Sequence, residues 1–472
     1  MEIADYAKEN FFSYRVDIPS VEYAKQYLEE RKSPLQGKEL TIIIPDRNED
    51  PEALRATVIQ LAMSNFLTGI FHQIDSKHFR IKRIIVSDQS DVMFARINRG
   101  LLYTVKDVLS NTLKEADMPE IYHLRFDTEM SKIVYDYLGD HLKLGIKDRG
   151  RPILGKGINM ALSSLVSSDM TNGEIVDRDT VLVFMDAENK AVNYKDPFLL
   201  GSPLIYEGSP ILFSKAAFRR YHMEGERRKI GGRVNASLGV PLLHMLIREG
   251  LVPIQRPITY PLAGEIGIDR DLFWSIKISE RYGVETATLL QLFGKGEKDK
   301  VMLSEEDFVQ VDLGINMDQP LAEGKSPREV LTGVRRMSED IIYATFQIMG
   351  RQIRETWGSS TEFMRMFGEF QRHSIDRWMQ SHDTRLITGG ISHEELRRTV
   401  YAVVKEQADN FFLEESFLRR IWREFRETLY PRDEGFMPPI NGIRDEMGDK
   451  FNELRERLID IQERIYPEKR NT

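Results

Sequence analysis

The chain has 472 residues, 66 basic and 74 acidic, for a formal charge of −8, with 30% charged and 41% hydrophobic residues. That composition is ordinary for a globular protein of about two or three domains, and its mild acidity argues against general nucleic-acid binding, which needs a basic field. It has no cysteine, which excludes disulfides, thiolate metal sites and cysteine nucleophiles together.

Residues 1–39 are polar and amphipathic and read as an amino-terminal helical extension, ended by Ser33, Pro34 and Gly37. Met1 to Asn10 lacks the basic start and apolar stretch of a signal peptide. No apolar run reaches the ~18 residues of a membrane helix, so a cytoplasmic protein without a membrane partner is expected. Leu40 to Pro45 is a short apolar run of buried-strand type. Asp50 can cap a helix with Pro51 at its first position, and Leu54, Val58, Leu61 and Phe66 share one face. Ile81 to Ser87 reads as a second strand, Asp91 to Leu113 as a helix, and Glu120 to Phe126 as a third strand. Gly155 opens a helix running to Leu165, and Thr180 to Met185 is a strand with Asp186 at its end. This alternation predicts an α/β fold, a mostly parallel sheet with helices on both faces, whose ligands bind beyond the carboxyl ends of the strands. From Ser326 onward strand signals vanish. Ser326, Pro327 and Glu329 form a capping-box start, and apolar stripes cover roughly 361–381, 392–408, 412–430 and 441–465. The expected division is 1–39, a sheet domain over 40–325, and an all-helical region over 326–472.

Six constellations stand where that fold would put a ligand. Pro45-Asp46-Arg47-Asn48-Glu49 follows the first strand and could hold a base and ribose, or be a plain strand–helix turn. Asp88 and Ser90 end the second strand and could meet a nucleobase or ribose, although helix capping explains such residues as well. Gly155-Lys156-Gly157 offers free backbone donors, a helix dipole and one cation, which suits a diphosphate. It lacks the spacing of a Walker loop. Asp186-Ala187-Glu188 puts two carboxylates at a strand exit, where a hard divalent cation would relieve their repulsion. Lys215, Arg219 and Arg220 precede Gly231-Gly232-Arg233-Val234-Asn235, a socket for a phosphate or carboxylate, with the charged stretch Tyr221 to Lys229 read as a mobile loop between them. Finally, Pro261-Leu262-Ala263-Gly264-Glu265 and Tyr282-Gly283-Val284-Glu285 each set a carboxylate beside a glycine, placed to hold sugar hydroxyls or to cap a helix.

Taken in order, these elements resemble the GT-A (Rossmann-like) glycosyltransferases, and more narrowly the retaining glucosyl-3-phosphoglycerate synthase family, over about residues 40–325. The matching positions are Pro45, Asn48 and Glu49; Asp88 and Ser90; Gly155 to Gly157; Asp186 to Glu188; Gly231 to Val234; Pro261 to Glu265; and Tyr282 to Glu285. Two departures stand out. The family's Asp-x-Asp is Asp186-Ala187-Glu188 here. Leu313-Gly314-Ile315 is followed by Asn316, Met317 and Asp318 rather than by the family's metal-binding histidine, so Asp318 or Asn316 could take its place.

The resemblance implies transfer of a hexose, glucose first, from a UDP- or GDP-sugar to 3-phosphoglycerate with retention of configuration, as in compatible-solute synthesis, using Mg²⁺ or Mn²⁺. It implies a metal on Glu188 and Asp186, with Asp318 a further ligand. The donor would lie against Pro45, Asn48, Glu49, Asp88, Ser90, Gly155, Lys156, Asp186, Ala187, Glu265 and Glu285. The acceptor would lie against Gly232, Arg233, Val234, Asn235 and Lys215. Glu188, Asp186, Glu285 and Arg233 would carry the chemistry, and a homodimer is expected. Rival readings are a GDP-mannose donor, an acceptor that is glycerate or glucosyl-3-phosphoglycerate, a sugar-nucleotide pyrophosphorylase, and a non-catalytic scaffold. The pyrophosphorylase would need a glycine-rich loop after the first strand, where this chain has Pro45-Asp46-Arg47-Asn48.

Overall fold

The computed structural model describes residues 2–12, 16–30, 38–74, 79–114, 118–141, 155–171, 174–176, 179–187, 192–206, 208–224, 227–296, 301–318, 326–382, 387, 390–413, 436–461 and 463–464. Its centre is a nine-stranded sheet. Four strands run parallel: β1 (Glu39–Asp46), β2 (Ile81–Asp88), β3 (Glu120–Arg125) and β6 (Thr180–Phe184), in the order β3-β2-β1-β6. The hairpin strands β4 (Asp169–Thr171) and β5 (Glu174–Val176) form a small sheet of their own. Beyond β6 the main sheet continues through β9 (Ile266–Asp269), antiparallel to both of its neighbours, to β7 (Phe213–Glu224) and then β11 (Phe308–Asp318), which runs parallel to β7. β8 (Arg227–Ile230) pairs back on β7.

The central strands β1, β2 and β6 have apolar middles because both faces of the sheet are covered there, and the period of two sends alternate residues to different cores. Ile43, Ile85, Leu182 and Phe184 enter one cluster, while Ile42, Ile44, Ile84 and Val183 enter the other. The second cluster is roofed by helices Pro51–Ala62 and Val92–Thr112, through Leu54, Val58, Leu102 and Val105. Asp50 caps the first of these by accepting from Glu52 N at 3.1 Å, with Pro51 next. That helix stops before Phe66, and a separate helix, Ser64–His72, carries the half-buried phenylalanine.

The first cluster continues without a break into the carboxyl-terminal helices Pro327–Trp357, Ser360–Gln380, His393–Leu413 and Asp449–Ile461 through Val334, Phe367, Val400 and Leu454. The capping box at Ser326 and Glu329 is formed. Arg455, buried on the last helix, donates to Leu165 O at 3.1 Å and lies 5.5 Å from the Trp274 ring, so this tail is anchored beneath the helix Lys156–Leu165. At the other terminus, helix Ile3–Asn10 docks through Tyr6, whose hydroxyl meets His244 Nδ1 at 3.1 Å. The predicted stretch 412–430 falls almost entirely outside the described residues.

Two local expectations are corrected. The charged stretch Tyr221 to Lys229, read as a loop, holds the end of β7 and most of β8, which pair with Tyr221 opposite Ile230. Backbone pairing at a sheet edge needs no alternating apolar face, so composition concealed it. The region after 326 is not purely helical, because β12 (Phe436–Met437) pairs with β10 (Ile278–Ser279) and β13 (Glu463–Arg464) pairs with β3. Two-residue strands are too short to leave a periodic signal.

Candidate active site

The carboxyl end of β6 delivers Asp186, and two other elements converge on it. Lys156 is the first residue of the helix Lys156–Leu165, and Glu285 lies in the first turn of Val284–Phe293. The Lys156 ammonium sits 2.7 Å from Asp186 Oδ1 and 2.8 Å from Glu285 Oε1. Burial alone would lower the lysine pKa, but these two carboxylates override it and hold it well above its usual value. Burial likewise pushes Asp186 up, yet the charge of Lys156, helped by Arg220 and Lys215, keeps it below the ordinary carboxylate range. The three side chains thus form a compensated cluster, with Lys156 still 21% exposed.

The glycines of this region are spacers. Gly155 has φ +152°, which side-chain-bearing residues rarely adopt, and a Cβ there or on Gly157 would strike the carbonyls of Glu280 or Ser279. A Cβ on Gly264 would invade the Asp186 carboxylate and come within 2.6 Å of Lys156 Nζ. The backbone of the Pro261–Glu265 segment is therefore threaded against the cluster, and Lys215 holds it there. That lysine, 1% exposed, donates to Ala263 O at 2.9 Å. Burial lowers its pKa to about 8, against the pull of Glu285 and Glu265. Glu265, also buried, accepts from Asn316 Nδ2 at 3.0 Å, and burial with the Asp186 charge raises it to about 8.

The first two strand ends behave differently. Asp88 is wholly buried and accepts from Ser90 N (2.8 Å), His123 Nε2 (3.0 Å) and Asn98 Nδ2 (3.1 Å). Burial would raise its pKa, but the His123 and Ser90 hydrogen bonds win and lower it. Asp46, its register partner, accepts from Ser90 Oγ and Asn98 Nδ2, and burial plus the Asp88 charge lifts it to about 7. Asn48, with φ +56°, donates its amide to Ser90 Oγ at 2.7 Å, and its side chain pairs with Asp91. Asn48, Asp88 and Ser90 therefore staple β1 to β2, and Asp88 presents no surface to a ligand. Pro45 lies within β1, and Glu49 is half-buried beside this knot. Sequence reasoning missed Asp46, Asn98 and His123 as members of it. Asp46 had the same strand-end position as Asp88 and was open to the same argument.

In the loop Gly231–Asn235, Gly232 has φ +76°, and a Cβ there would lie 2.6 Å from the Tyr260 hydroxyl. Arg233 is half-buried and Val234 buried just before the wide π-helical turn Asn235–Gly239. Asn235 Oδ1 accepts from Leu262 N at 3.2 Å, which ties this loop to the segment bearing Glu265. Ala187 is described and buried. Glu188 lies outside the described residues, as does the side chain of Asp318.

Among the described residues no group of three His, Asp or Glu side chains converges as a metal site. A hard cation nevertheless has oxygen donors to take in this corner. Asp186 stays ionised, and beside it the buried Glu265 Oε2 and Asn316 Oδ1 have no hydrogen-bond partner. No single helix is long and apolar enough to cross a membrane.

No protein-family model matches the chain, and no curated protein matches it in sequence. Solved structures do. The chain is similar to mannosyl-3-phosphoglycerate synthase from Rubrobacter xylanophilus, at 20% identity over 74% of this chain and 84% of that one, with a TM-score of 0.42. It is similar to glucosyl-3-phosphoglycerate synthase from Mycobacterium tuberculosis in complex with phosphoglyceric acid, at 21% identity over 68% and 83%, TM-score 0.40. The same enzyme in complex with Mn²⁺, uridine diphosphate and glucosyl-3-phosphoglycerate matches at 20% identity over 68% and 82%, TM-score 0.38. Likeness of this degree carries no argument about chemistry, which rests on the chain's own site.

Proposed function

We propose that this chain is a glycosyltransferase that moves a hexose, glucose first, from a UDP- or GDP-sugar to 3-phosphoglycerate, with retention of configuration. The observation that carries the reading is the Lys156 ammonium held between Asp186 and Glu285 at the carboxyl end of a parallel sheet, with Glu265, Lys215 and Arg220 packed around it. Such a concentration of perturbed charges marks a working site.

As the glycosidic bond breaks, negative charge builds on the departing diphosphate, and Lys156 is the cation placed to meet it. Asp186 and Glu188 would hold a divalent Mg²⁺ or Mn²⁺, with Asp318 or Asn316 closing its shell, and that ion would neutralise the same charge. Glu265 and Glu285 would hold sugar hydroxyls. Glu265, protonated up to about pH 8, can donate as well as accept. Arg233, with Gly232, Val234 and Asn235, would hold the anionic acceptor. Its hydroxyl would attack the anomeric carbon on the face the diphosphate leaves, and a departing phosphate oxygen would take the proton. That route needs no protein nucleophile. Holding donor and acceptor in line supplies most of the rate, as orientation can be worth roughly 7–11 kcal/mol. The division into 1–39, 40–325 and 326–472, a homodimer and a cytoplasmic setting belong to the same reading.

The test is a matrix of UDP-glucose, GDP-glucose and GDP-mannose against D-glycerate and its phosphates, with products weighed by mass spectrometry and the anomer read by NMR. One donor–acceptor pair should give a stoichiometric glycoside with the donor's anomeric configuration. A folded protein that transfers nothing across the matrix, with or without Mn²⁺, overturns the proposal.

A further inference from the structure

Residues 278–285 link two parts of the charge cluster. On one side they wall the start of the helix Lys156–Leu165, where a Cβ on Gly155 would strike Glu280 O and one on Gly157 would strike Ser279 O. At their far end stands Glu285, whose Oε1 lies 2.8 Å from Lys156 Nζ. The placement of this one segment therefore sets both the backbone beside Lys156 and a carboxylate that holds its ammonium.

The segment is gripped from its other side by the carboxyl-terminal region. β12 pairs with β10 at Ile278 and Ser279. Further along, the helix Pro327–Trp357 presses on the turn before Glu285. A Cβ on Gly283 would lie 2.8 Å from both Ala344 Cβ and Asp340 O, and 2.9 Å from Ser279 Oγ. Across this contact the Asp340 carboxylate accepts a hydrogen bond from the Tyr282 backbone N–H, and the charge of Arg281 adds to the attraction. The turn closes on itself through a long bond, Val284 N to Arg281 O at 3.3 Å. The cap position of Val284–Phe293 is Gly283, which brings no side-chain oxygen to the helix start. An acceptor for this turn thus comes from a helix more than 50 residues further along the chain.

We propose that Asp340 is a positioning residue for the charge cluster: through the Tyr282 N–H it fixes the turn 281–284 and so sets Glu285 against Lys156. Asp340 touches no reacting atom. What the cluster is used for rests on the transferase reading, whereas its assembly does not. No motif position and no expected site residue lies beyond Asp318, so the carboxyl-terminal helices join the working of the site through Asp340.

The experiment uses the full chain. In wild-type protein the Tyr282 amide should exchange about tenfold or more slowly than an open amide, although the residue is 53% exposed, because a bonded N–H exchanges only on opening. D340A should erase that protection and lower kcat by about tenfold, within what a 1 Å misplacement costs, with acceptor KM unmoved. D340N keeps an oxygen to accept from the same N–H and should restore kcat to within about threefold of wild type, a neutral acceptor being the weaker one. A D340A protein whose melting temperature falls while kcat per folded molecule is unchanged overturns the proposal, as does a D340N enzyme as slow as D340A. Should D340A fail to fold, the wild-type exchange rate and D340N decide, and an unprotected Tyr282 amide overturns the proposal. If wild-type protein transfers nothing, the transferase reading fails, and exchange at Tyr282 in wild type and D340A still tests the anchor because it needs no turnover.

Discussion

Two corners of one sheet edge carry acidic strand ends, and they have opposite characters. At β1 and β2, Asp46 and Asp88 are sealed, and Ser90, Asn98 and His123 supply hydrogen bonds to them. At β6, Asp186 is met by the tip of a lysine from another helix, and that lysine is still partly exposed. In the first corner hydrogen bonds hold the Asp88 charge, while Asp46, with one buried oxygen unpartnered, is pushed toward its protonated form, so the knot is part of the fold. In the second, a cation bridges two carboxylates, and on that arrangement the transferase proposal rests. A carboxylate at a strand end is therefore no guide to function until its partners are known.

The contrast breaks most directly at Lys156. K156M should reduce kcat by about 10²–10³, the usual loss on removing one group that stabilises transition-state charge. A kcat within a few-fold of wild type would remove Lys156 from the mechanism. G264A comes next. Its Cβ intrudes on Asp186 and Lys156, so transfer should fall by about tenfold or more, a 1 Å misplacement being enough for that, while the melting temperature barely moves. A large drop in melting temperature with normal specific activity would show that the glycine serves packing alone.

D88N should behave in the reverse manner. Disrupting a buried charged network costs about 3–5 kcal/mol, so urea stability should drop while the donor KM of the folded fraction is unchanged. A raised donor KM at normal stability would return Asp88 to the ligand site. The effect smallest per step of the variable is in pH dependence. The pKa of Asp46 is raised by folding to about 7, so its protonated form stabilises the fold fully below the unfolded carboxyl pKa. That contribution is lost as pH climbs through about 7, with a slope of at most about 1.4 kcal/mol per pH unit. Asp88, with a lowered pKa, works oppositely and loses its contribution as pH falls through its folded value. Denaturant midpoints between pH 4 and 8 should show the Asp46 slope in wild type and a flatter line in D46N. Equal slopes would place that proton elsewhere.

Much of the scaffold was legible in the sequence because its causes are local. Unbroken apolar runs predict strands covered on both faces, and the caps at Asp50 and Ser326 form as their spacing indicates. Lys156, Asp186, Glu265 and Glu285 were singled out one by one from glycine and carboxylate patterns, and the fold brings these four into one cluster. Tertiary structure alone decided which carboxylates are sealed and which are bridged. It set Asp88 against His123, 35 residues away, and turned Lys215 from a socket cation into a buried clamp on Ala263. It also carried Phe12, Trp378 and His382 next to Gly231 and Asn235. Local patterns record what a residue needs from its neighbours in the chain. Burial and charge pairing are set by residues far apart, and only the closed fold states them.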